Sequence, residues 1–210
     1  METKISEVKT STTELSRLLD QYEREMAKID QNLKPEIVRQ REQEIKAEFQ
    51  KPMDSARSEL NANLEGMEKA MDFLLDPHNS VLLMATGSAN PATNDDLFFA
   101  GLIPAMTEDH LLFLVSETQS PAVVLAIAAE ASKRGLKDSE GKIDQAMANF
   151  IPKETIDAMV ATGKEGFEVL LRDLNVTGPQ HPNRAERQLH LGHQIDGWRQ
   201  KAGKVLSKDE

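Results

Sequence analysis

The sequence predicts an all-α protein: long N-terminal helices of coiled-coil type, a compact middle region of short helices, and a C-terminal amphipathic helix. Three observations carry this. Ile5, Val8, Thr12, Leu15, Leu19, Tyr22, Met26, Ile29 and Leu33 follow one another at alternating three- and four-residue steps, which lays a narrow apolar seam along one side of a helix. The later apolar blocks open on Ser, Thr, Asp or Asn and close on Gly or Pro, the punctuation of helix starts and stops. The chain also holds only seven Phe, one Tyr and one Trp. Its interior volume must therefore come from Leu, Ile, Val, Met and Ala, which suits helix-on-helix packing.

Residues 4–33 form the first predicted helix, and its seam must lie against another helix. Lys34-Pro35 interrupts the pattern. Residues 36–50 read as a mostly solvated helix, and residues 53–75 rebuild an apolar stripe through Met53, Ala56, Leu60, Leu64, Met67, Met71 and Leu74. Pro52 is expected in the first turn of this third segment, where its missing N–H is harmless. The first seam is then covered by fold-back of the third segment or by a second copy, and the sequence leaves both open.

Asp76-Pro77 caps a short apolar helix that Gly87 ends, and residues 87–94 are rich in turn formers. Thr93 is expected to cap a helix holding Leu97, Phe98, Phe99, Leu102 and Ile103. Thr107 caps residues 111–115, and Ser120-Pro121 starts a helix that Gly135 stops. Asp138 or Ser139 is expected to open the next segment. Pro152 opens one that Gly163 closes, followed by a last helix around Phe167, Leu170, Leu171 and Leu174. Beyond a loop at residues 176–182, Asn183 and Glu186 make a capping box. Leu191, Ile195, Trp198, Ala202 and Val205 then form a second three-four seam, with His190, His193, Lys201, Lys204 and Lys208 opposite. The expected regions are 1–76, 77–178 and 179–210.

The formal charge of −10 is unevenly placed. Residues 1–86 and 87–178 carry −5 and −7, and residues 179–210 carry +2. An acidic body repels nucleic acid and anionic membranes, whereas the basic end suits an acidic protein surface. With no Cys, neither a disulfide framework nor a thiolate metal site is available. The first residues lack the apolar core of a signal peptide, and the longest apolar run, 122–129, is far short of a membrane span. A cytoplasmic, soluble protein is the expectation.

No motif names a reaction. Gly163-Lys164 invites a phosphate-loop reading, but Glu165 stands where Ser or Thr belongs and Ala158 where the first Gly belongs. Glu108-Asp109-His110 and His190/His193 with His181 nearby lack a diagnostic metal spacing. No catalytic, cofactor or metal residue is therefore assigned. Ile5, Val8, Leu15, Leu19, Tyr22, Met26, Ile29 and Leu33 are expected to form an oligomer seam. Leu191, Ile195, Trp198 and Val205, backed by His190, His193, Lys201 and Lys204, are expected to dock a partner.

This layout of acidic heptad helices, a compact helical middle and a short basic amphipathic tail resembles that of bacteriophage scaffolding proteins and other small helical virion-assembly proteins. The resemblance implies a non-enzymatic part that self-associates through its helices and engages a capsid or portal component, with its location in the virion. The alternative is an acidic coiled-coil regulatory module acting on a cellular partner.

Overall fold

The structure, a computed structural model, describes residues 1–86, 93–136, 141–177 and 184–206. Among them the chain is all-α: α1 (Glu2–Ala27), α2 (Pro35–Leu75), α3 (Pro77–Thr86), α4 (Asn94–Leu102), a 3₁₀ turn (Ile103–Ala105), α5 (Glu108–Glu117), α6 (Pro121–Arg134), α7 (Lys142–Ala148), α8 (Lys153–Thr177) and α9 (Arg184–Leu206). None of these helices is long and apolar enough to cross a membrane. The chain divides into two compact units, residues 1–70 with 155–210, and residues 71–154. This differs from the three consecutive regions expected, because the tail and nearly all of α8 group with the N-terminal helices.

In the first unit the α1 seam is covered by the same chain. Val8, Leu15, Leu19 and Tyr22 are buried, Ile5, Thr12 and Met26 partly so. Asn63 donates to the Glu7 carbonyl, and the Tyr22 and Phe49 rings meet edge to face at 5.8 Å. The hairpin of α1 and α2 is therefore antiparallel, and fold-back is the observed arrangement. Helix α8 joins it at Gly166, where an added Cβ would lie 3.1 Å from Leu64 Cδ2 and 3.4 Å from both Leu60 Cδ1 and Thr12 Oγ1. Arg172 of α8 bridges Asp20 and Glu23 of α1 at 2.6 Å each.

Three expectations are corrected here. The first helix stops at Ala27, so Ile29 and Leu33 fall outside it and Leu33 is exposed. The cause is local: the Asp30 carboxylate accepts from the Asn32 backbone N–H at 2.9 Å, a turn that competes with the helix. The second and third predicted segments are one 41-residue helix that passes through Pro52. A proline inside a helix costs about 3 kcal/mol. Here the Tyr22–Phe49 contact before it and the buried Met53, Ala56 and Leu60 after it hold both flanks in place. Likewise Gly163 closes nothing, since α8 runs from Lys153 to Thr177 without a break.

The second unit is built round α6, which packs against α3, α4, α5 and α7. Its core includes Val81, Ile103, Leu111, Val123, Val124 and Ile127. The helix starts follow the sequence closely. The Asp76 carboxylate accepts from the His78 N–H at 2.9 Å, Thr93 and Asp96 form a reciprocal capping box, and Thr107 and Ser120 cap α5 and α6. Gly135 ends α6 in the left-handed region at φ 65°, a conformation glycine adopts without a Cβ clash. Arg134 ties the 3₁₀ turn to α6 by donating to the Met106 and Pro104 carbonyls at 2.6 and 2.8 Å. Helix α7 begins after Gly141; Asp138 and Ser139, its expected cap, lie outside the described residues, as do most of the 87–94 loop and the Asn183 cap.

Candidate functional site

The tail seam expected to meet a partner meets α8 instead. Trp198 and Ala202 are buried, and Leu191 and Ile195 are half-buried. A Cβ at Gly163 would lie 2.2 Å from Trp198 Cζ3, so only glycine lets the indole approach the α8 backbone this closely. One turn further along α8 the ring meets Phe167 edge to face, with centroids 5.4 Å apart. The Trp198 indole N–H is buried without a hydrogen-bond partner among the described residues. Gln188 donates to the Asn175 side chain at 2.8 Å, so α9 runs antiparallel to α8. On the basic face His190, His193 and Lys201 are exposed, and Lys201 Nζ sits 3.0 Å from Glu68. Lys204 and Val205 lie on α9, but their side chains, like Lys208 and His181, fall outside the described residues.

The chemistry sought in the sequence does not assemble among the described residues. Gly163-Lys164 sits inside a helix with no preceding loop, so the phosphate-loop geometry is absent. Among the described residues no three His, Cys, Asp or Glu side chains come close enough to share a metal ion.

What does stand out is a face of the second unit. Helix α4 reads Asn-Asp-Asp-Leu-Phe-Phe-Ala-Gly-Leu and buries none of its residues. Leu97 is 61% exposed, Phe98 64% and Phe99 44%, and Phe113 on α5 is 66% exposed. A single exposed apolar residue is ordinary, but α4 leaves three large ones open in succession, and the Phe98 and Phe99 rings meet edge to face at 6.0 Å. Between α4 and α5 lies an open cleft of about 310 Å³ whose wall includes Phe99, Leu114 and Val123. Asp95, Asp96 and Glu117 line the same cleft. The Asp96 carboxyl is held below its ordinary range by hydrogen bonds from the Ser120 hydroxyl and from Thr93. It therefore stays ionised throughout the neutral range.

The sequence carried a signal for this face that the helical pattern does not reveal. Between Lys69 and Lys133 there is no Lys or Arg, while eight Asp and Glu occur. A long apolar and acidic segment without cations is poorly suited to self-pairing through charge and well suited to a cationic partner. The sequence places Leu97, Phe98, Phe99 and Leu102 on one helix, but periodicity cannot say whether an apolar helix face is covered.

Comparison with protein-family models, with curated proteins and with solved structures finds no match for this chain.

Proposed function

We propose that this protein is a non-enzymatic helical assembly or adaptor part that grips a cationic amphipathic helix of another protein across the α4–α5 cleft. The observation that carries the reading is the exposed Phe99, with Leu114 and Val123, in one cleft with Asp95, Asp96 and Glu117. A helix laid in a groove is held by apolar anchors every three or four residues, and cations on its flanks would meet the carboxylates. The chain's own basic helix is poorly placed to be that occupant, because the apolar residues of α9 already lie against α8. A second copy of the acidic unit would bring like charge to the cleft. The covered α1 seam also removes the reason to expect self-association through that helix. A shell or portal subunit offering such a helix would make this the virion-assembly part that the layout resembles, and a cellular regulator offering it would make this an adaptor.

A photo-cross-linking residue placed at Phe98 tests the reading without disturbing the fold, since that side chain is mostly outside the core. The expected product joins position 98 to a peptide that is helix-forming, amphipathic and rich in Lys or Arg. Cross-links only to acidic segments, or only to another copy of this chain, would contradict it.

A further inference from the structure

The first unit holds a second concave site, independent of the cleft and of the function proposed for it. We infer that the groove bounded by α1, α2, α8 and α9 binds a single-chain amphiphile with an anionic head, a carboxylate or a phosphate monoester on a hydrocarbon body. The groove encloses about 710 Å³, within the range of roughly 300–1,000 Å³ usual for small-molecule sites. Its apolar lining comes from Phe49, Met53, Leu170, Leu174 and Leu191, of which Met53, Leu170 and Leu174 are buried. The charged groups divide in two. Arg57 donates to both Asp173 oxygens, at 2.5 and 3.0 Å, and to Asp54 at 2.5 Å. Both carboxylates of the groove are thus already matched to one guanidinium.

The charged side chains that remain are cationic. Lys46 on α2 and Arg187 on α9 line the same groove and form no ion pair with a described residue. Unpaired cations from two helices converging on one apolar groove are notable in a chain of charge −10. Tyr22 supplies the second observation. It lines the groove, is only 6% exposed, and its hydroxyl makes no hydrogen bond to a described residue while not being sealed from solvent. A phenol hydroxyl open toward a cavity donates to a ligand oxygen, and burial, with the Glu42 carboxylate nearby, raises this phenol above its ordinary range and keeps it protonated. An anionic head between Lys46 and Arg187, with its chain over Met53 and Leu174, would satisfy both halves of the groove.

Calorimetric titration of the full chain, kept below micelle-forming concentrations, tests this with four probes: dodecanoate, dodecyl phosphate, dodecyltrimethylammonium and inorganic phosphate. The expectation is one dodecanoate or dodecyl phosphate per chain, each at least about tenfold tighter than the cationic amphiphile or inorganic phosphate. The better of the two says whether a carboxylate or a phosphate head is preferred. Lys46→Ala with Arg187→Ala, both exposed, should weaken the anionic amphiphiles by about tenfold or more at an unchanged melting temperature. Failure of both anionic amphiphiles to bind, equal binding of the cationic one, binding of phosphate alone at full strength, or full affinity in the double variant would each overturn the inference. None of these results bears on the α4–α5 cleft.

Discussion

A Leu19→Asp chain is expected to lose more than about 4 kcal/mol of stability in its first unit while scattering light with the same mass as the parent. Removing a fully buried leucine forfeits about 1.5–3 kcal/mol of burial, and Leu19 has no exposed surface. The aspartate adds an unpaired charge in an apolar seam, one of the few changes that exceeds the usual range for single substitutions. Because α1 is covered by α2 and α8 of its own chain, the loss should appear in the denaturation midpoint. A fall in mass at unchanged stability would mean that the seam joins two copies.

Trp198→Ala is the second large effect, expected at about 2–4 kcal/mol. Truncating a buried aromatic costs about 3–5 kcal/mol, and relief of the unpartnered indole N–H returns roughly 1 kcal/mol of that. In the parent, Gly163→Ala drives a methyl into the indole at a cost of about 1–3 kcal/mol, against a gain of about 1 kcal/mol in helix propensity. Without the indole only the gain is left. Gly163→Ala should therefore be neutral to destabilising in the parent and stabilising by about 1 kcal/mol in the Trp198→Ala chain, measured by urea denaturation. The same sign in both backgrounds would separate Gly163 from Trp198 and refute the contact.

Local chemistry was what the sequence made readable. The caps at Asp76, Thr93, Thr107 and Ser120 and the left-handed Gly135 each follow from a side chain or backbone preference within four residues. The buried members of the α1 seam, Val8, Leu15, Leu19 and Tyr22, follow from helical spacing. What failed depended on contacts distant in sequence. Pro52 stays helical because of Tyr22, thirty residues earlier, and Gly163 stays helical because of Trp198, thirty-five later. Both residues are breakers by propensity, and tertiary packing overrode them. The candidate site was the least readable. An apolar stripe such as Leu97, Phe98, Phe99 and Leu102 has the same pattern whether a neighbouring helix covers it or not.

Recognition of apolar anchors and cations together by the α4–α5 cleft, as proposed, is tested by fluorescence anisotropy of a labelled amphipathic Leu/Lys helix peptide titrated with the full chain. Saturable binding is predicted, weakening as salt rises and as pH falls through the carboxylate range near 4, the Asp96 carboxyl being held below its ordinary range by the Ser120 hydroxyl and Thr93. Phe99→Ser and Glu117→Gln should each weaken it by about tenfold or about 1.4 kcal/mol, and an acidic peptide of the same apolar pattern should not bind. Equal affinity for the parent and both variants, or for the basic and acidic peptides, would contradict the account.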